Sequence, residues 1–219
     1  MLSAKKLIEN YRFFFLFIIL IGYFLVRAMN NDERIHGLAT ICFFSIILYS
    51  LYIIGREKPF ILKIIFFIGL TQVSMAALFD IYHLEHYSII RLLSALIFYL
   101  IMSFECLQYT FEDKVITQST LFGALCAYLL IGQCFTSVYV LIYQFEPLSF
   151  SGLSSERVNI NSDLIYFSFV TITTLGYGDI LPVSKMAKTL AWMESYMGQA
   201  YLTILMALLV GRFINQKNN

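Results

Sequence analysis

The chain has 219 residues, 59% of them hydrophobic and 13% charged, with a formal net charge of +1 and a mean hydropathy of +0.76. That balance excludes an ordinary soluble domain and suits a polytopic protein whose main solvent is lipid. The near-zero charge gives no footing for a nucleic-acid partner, and no nucleophile–base set or phosphate loop points to an enzyme.

A spanning helix needs about 20 mostly apolar residues. The first candidate is Tyr11 to Val26, preceded or opened by Lys5, Lys6 and Arg12. A basic start and apolar centre also fit a signal peptide, but Arg27-Ala28-Met29-Asn30 is a poor small-residue cleavage site. The second runs from Gly37 to Ile54 and ends in the turn Gly55-Arg56-Glu57-Lys58-Pro59. The third is Phe60 to Ala77, ending near Asp80, and the fourth is Tyr87 to Gln108. After Glu112-Asp113-Lys114 comes a fifth, Ser119 to Tyr143, and the sixth is Met186 to Ile214. Cys42, Cys106, Cys126 and Cys134 lie inside these apolar runs without metal-ligand spacing and read as small core residues.

With the amino terminus in the cytoplasm, the inner side holds Lys5, Lys6, Arg12, Arg56, Lys58, Lys63, Lys114, Arg212 and Lys217. The outer side holds Arg27, Arg34, Arg91, Arg157, Lys185 and Lys188, a modest bias of the expected sign. We therefore expect a multi-pass cell-membrane protein with both termini cytoplasmic. No regulatory domain is expected after Arg212, because so few residues follow it.

Between the fifth and sixth segments stands Thr171-Ile172-Thr173-Thr174-Leu175-Gly176-Tyr177-Gly178-Asp179. Glycine tolerates positive φ, so alternating ordinary and glycine-type conformations can turn successive carbonyls to one side. Copies around an axis would stack rings of oxygen that replace the water shell of a monovalent cation. Thr174 to Gly178 resembles the selectivity filter of the potassium-channel family, with Leu175 where that filter commonly has valine. The resemblance is to a prokaryotic-type six-transmembrane, one-pore subunit without an arginine-rich voltage sensor. It implies K⁺ coordination by the Thr174 hydroxyl and the carbonyls of Thr174, Leu175, Gly176 and Tyr177. It also implies Gly178 and Asp179 at the outer mouth, a homotetramer in the lipid bilayer, and no cofactor beyond the permeant ion. A bland glycine turn between two membrane helices is the competing reading of the same residues.

Asn161, Ser162 and Asp163 are cap-type residues that would start a short pore helix through about Thr173. Its carboxyl end would point its partial negative charge at a central cation. By the resemblance, Tyr166 and Phe167 stand where the family braces its filter with aromatics. Val170 occupies the position of a glutamate found in some members, so that carboxylate pair is missing. Asp179 is either a filter brace, with Tyr166 as a possible donor, an outer-mouth charge or a solvated loop residue. Gly198 falls where the family has an inner-helix hinge, although close packing against the pore helix explains a glycine equally well. Gln199, Leu202, Met206 and Val210 share helical spacing and could line a cavity and inner gate, or simply pack. Glu194 could bond behind the filter or snorkel to water.

The first four helices match a voltage-gated layout in number alone. The fourth offers only Arg91 and carries Glu105, so weak or absent intrinsic voltage gating is expected. Asp80, His83, Glu85 and His86 could bind a metal or sense protons, though such a loop is more often merely polar. The expectation is an all-α membrane protein with six transmembrane helices. Residues 1–110 would form a four-helix domain and residues 111–219 a pore domain with a re-entrant helix, and four chains would build the pore. Its function would be passive K⁺ conduction. The alternatives are a weakly selective cation channel, a non-conducting regulatory channel subunit, and a secondary transporter, which would usually show two interrupted segments rather than one.

Overall fold

The computed structural model describes residues 4–28, 33–54, 60, 63–71, 89–112, 116–154 and 160–218. Helices α1 (Ala4–Ala28), α2 (Glu33–Ile54), α3 (Ile89–Glu112), α4 (Gln118–Phe145), α5 (Ile160–Ile172) and α6 (Lys185–Asn218) follow in chain order, and residues 63–71 are also helical. Two short strands, β1 (Phe150–Ser151) and β2 (Leu181–Pro182), pair antiparallel with Phe150 opposite Pro182.

The six expected spans are corrected to three. Among the described residues, the helices long and apolar enough to cross a bilayer are Ile89–Glu112, Gln118–Phe145 and Lys185–Ile214. Charge and length explain the difference. In α1 the apolar stretch is confined between Arg12 and Arg27, short of the roughly 20 residues a span requires. In α2 the apolar helix Ile41–Ile53 is likewise shorter than that. Of the expected third span, residues 72–77 lie outside the described residues. The chain is thus an all-α, multi-pass membrane protein, and the short apolar helix α5 lies between its second and third long apolar helices.

Helix α4 is the central post. Thr117 caps it by accepting from the Thr120 amide, while the Thr120 hydroxyl accepts from the Thr117 amide, a reciprocal box that satisfies two donors at once. Pro147 follows directly after its last turn and cannot continue the helix. Its first half packs on α1 and α3, where Phe13, Leu16, Leu20, Ile46, Ile65, Phe98, Met102 and Leu130 share one buried core. Its second half packs on α5 and α6, where Tyr139, Phe150, Leu164, Phe167, Ile180 and Ala187 form another. The four cysteines are free. At the far end of α6, the Arg212 guanidinium donates to the carbonyls of Thr110 and Phe111 in the last turn of α3. A cation there also complements the negative end of the helix dipole.

Candidate functional site

Asn161, Ser162 and Asp163 lie in the first described turn of α5 (Ile160–Ile172). Asp163 holds the preceding loop by accepting the Ser154 amide at 2.7 Å. The Ser162 hydroxyl reaches the Arg27 carbonyl at 3.1 Å. The helix ends at Ile172, where the Tyr128 hydroxyl of α4 donates to the Ile172 carbonyl at 3.0 Å.

Beyond it the backbone alternates. Thr174, Gly176 and Gly178 have φ of 59°, 60° and 80°, whereas Leu175 and Tyr177 between them do not have positive φ. The amides turn back towards the helix: Leu175 and Gly176 donate to the Val170 carbonyl at 3.0 and 3.3 Å, and Thr174 to Thr171 at 2.9 Å. Among the described residues, the carbonyls of Thr174, Leu175, Gly176 and Tyr177 accept no hydrogen bond. Glycine takes this φ without steric cost. Thr174 does not, and a β-branched residue there is an outlier that stores about 1–3 kcal/mol of strain.

Around this segment the expected residues fall into distinct places. Tyr166 donates to Asp179 Oδ2 at 2.6 Å, and the Ile180 amide donates to Oδ1 at 3.0 Å. The Tyr166 hydroxyl, helped by that amide, holds the Asp179 carboxyl below the usual aspartate range. Phe167 is buried edge-on against Tyr139 and Phe150, at 5.1 and 5.4 Å between ring centroids. Val170 contributes its backbone carbonyl. Gly198 of α6 meets α5 so closely that an added Cβ would overlap the Ile172 carbonyl oxygen. Gln199 Nε2 lies 3.0 Å from Thr174 Oγ1. Leu202, Met206 and Val210 continue the same side of α6, exposed in the single chain. The acidic–histidine cluster Asp80, His83, Glu85 and His86 lies outside the described residues.

Tyr139 and Ser168 were not singled out from the sequence. Their hydroxyls lie 2.6 Å from the two carboxylate oxygens of Glu194, which is fully buried. That resolves the open choice at Glu194: it bonds inward and does not reach for water. Tyr139 sits 55 positions from its partner, and an isolated hydroxyl in an apolar run carries no signal of that pairing.

Among the described residues, the arrangement offers a row of unpartnered peptide oxygens and a buried carboxylate held by two hydroxyls. Residues 125–215 match the protein family described as "Ion channel". The chain is 40% identical over 52 residues to "Two pore potassium channel a" of Oryza sativa subsp. japonica, covering 24% of this chain and 15% of that one. It is 33% identical over 95 residues to "Two-pore potassium channel 4" of Arabidopsis thaliana, covering 43% and 30%. A third relative, "Two pore potassium channel b" of Oryza sativa subsp. japonica, is 38% identical over 76 residues, covering 35% and 19%. The chain therefore spans less than a third of the length of these relatives. No solved structure matches it. All the matches are to channels, which are not catalysts, in agreement with the expected absence of enzyme activity. They also correct the expected prokaryotic-type six-transmembrane, one-pore subunit: the relatives this chain resembles are two-pore potassium channels.

Proposed function

We propose that the chain conducts K⁺ passively, through a path formed where the Thr174–Gly178 segments of four copies meet. The observation that carries this reading is the alternation of positive φ at Thr174, Gly176 and Gly178. It turns amides towards α5 and leaves successive carbonyls free of internal partners. Carbonyl rings of this kind replace a hydration shell for a bare cation. Non-helical backbone at membrane depth is tolerated where it is buried or lines a watery path, and unpartnered carbonyls in lipid would be costly.

Self-association is supported by α6. Of its most apolar stretch only 11% is buried within one chain, against 56% for that of α4, and the uncovered surface of α6 includes Gln199 as well as apolar residues. In this reading Gly178 and Asp179 open outwards.

Bilayer recording of purified protein, with K⁺ on one side and Na⁺ on the other, tests the proposal. A reversal potential close to the K⁺ equilibrium value is expected. Current reversing near zero would make it a weakly selective cation channel. A reconstituted protein without current would be a regulatory subunit or a slow transporter.

A further inference from the structure

Gln199 is the one polar member of the stripe Gln199, Leu202, Met206 and Val210, and its side chain reaches the first residue of the alternating segment. The donor–acceptor count at Thr174 fixes what that contact is. A threonine hydroxyl has one hydrogen and two lone pairs. Its hydrogen goes to the Thr173 carbonyl, 2.6 Å away. The Gln199 atom 3.0 Å from Thr174 Oγ1 must then be a donor, which sets the amide with Nε2 on the hydroxyl and Oε1 turned away from it. The choice between the two amide ends thus follows from the hydrogen-bond network. One lone pair of Oγ1 takes the Gln199 N–H, and the other stays free. The Gln199 amide oxygen accepts no hydrogen bond among the described residues.

We propose that Gln199 forms a cation site of its own, immediately inside Thr174. Resting on the channel reading above, copies of Gln199 around the axis place a ring of amide oxygens below the Thr174 hydroxyls. Each is held in place by its own Nε2–Thr174 bond. Neutral amide oxygens are hard donors of the kind that K⁺ accepts in place of water. Further along the stripe, Leu202, Met206 and Val210 offer no oxygen. Gln199 is therefore where an ion coming from the inner side first exchanges water for protein, and its amide also orients the Thr174 hydroxyl for the next position. Its role is to take up ions. Selectivity between ions stays with the carbonyls.

Two measurements test this. In bilayers, outward unitary K⁺ current is recorded against internal K⁺ concentration for wild type, Q199L and Q199E. Q199L removes every amide oxygen of the ring and should raise the half-saturating K⁺ concentration at least roughly three- to tenfold, the size expected for losing even one modest polar contact. Q199E should lower it, because a ring of carboxylates concentrates cations. Half-saturation unchanged in both variants, with K⁺-selective current intact, overturns the site and leaves the channel reading standing. The second measurement does not need current. Solid-state NMR of glutamine-labelled protein in lipid reads the Gln199 side-chain carbonyl, assigned by its loss in Q199L. Replacing K⁺ with N-methylglucamine should move that signal. A signal indifferent to K⁺ overturns the proposal, whereas a K⁺-dependent signal in protein that carries no current upholds the site and sinks only the conduction reading.

Discussion

The Tyr139 hydroxyl donates to Glu194 Oε2 across 2.6 Å, and neither side chain has any exposed surface. Ser168 occupies the other carboxylate oxygen at 2.6 Å. One residue each from α4, α5 and α6 therefore meets at a single buried acid. Two hydroxyls contact this acid and no cation does among the described residues, and breaking such a set strands its buried members.

Stability follows from that geometry. Ser168 also lies 2.8 Å from the Gly132 carbonyl, so it keeps an acceptor if Glu194 is lost. Tyr139 has no such fallback. Glu194→Ala should destabilise the protein by about 1–3 kcal/mol for the stranded hydroxyl, and the vacated volume adds to that. Glu194→Gln keeps one acceptor oxygen and should fall between. Thermal unfolding in detergent should rank wild type above E194Q and E194A lowest. Equal melting of E194A and wild type would count against the bond set as a brace.

Glycine substitutions should separate two kinds of constraint. At Gly176 and Gly178 an added Cβ meets nothing within 4 Å, so the obstacle is φ itself, at 60° and 80°. The left-handed conformation costs an ordinary residue about 1–2 kcal/mol. Alanine there should relax the alternation and alter or abolish selective current, and its cost in stability is capped by that conformational penalty. At Gly198 the obstacle is space, since the new Cβ would press on the Ile172 carbonyl. That geometry is close packing of α6 against the end of α5. Overpacking typically costs about 1–3 kcal/mol, so G198A should melt lower than G178A. The reverse order would show that the α5–α6 contact yields easily and that Gly198 serves as a bend.

What the sequence made legible was local. The string from Thr171 to Asp179 announced an unusual backbone, because glycines two apart invite alternating φ. Tyr166 and Asp179 lie close enough in sequence for a pairing to be guessed. Long-range matters were hidden. Apolar content suggested six spans, whereas three helices among the described residues are long and apolar enough to cross, and content alone does not reveal that Arg12 and Arg27 confine the apolar stretch of α1. The Glu194 partners come from two other helices, and nothing in the spacing of a lone tyrosine and a lone serine marks them. Gln199 could be placed on a stripe by helical period, whereas the direction of its amide depends on where the Thr174 hydrogen goes.

The Tyr166–Asp179 bond has a pH signature. Hydrogen bonds to the ionised carboxylate favour it, and the Tyr166 hydroxyl is the main one. A carboxyl whose folded-state pKa is depressed contributes stability that is present above the ordinary aspartate value of about 3.9. That contribution is lost as pH falls through the lower folded value. Acidifying the side onto which Asp179 opens should therefore leave current unaffected by this group from neutral pH down to about 5. The decline should come only below the ordinary aspartate range. Y166F removes the principal donor, so Asp179 moves back towards its ordinary value and the acid decline should begin at higher pH. D179N should remove that step altogether, since no carboxyl remains to take the proton. The measurement is a set of pH–current curves for the three proteins under identical K⁺ gradients. Coincident wild-type and Y166F curves would mean that the hydroxyl at 2.6 Å does not control the charge of Asp179 in the assembled protein.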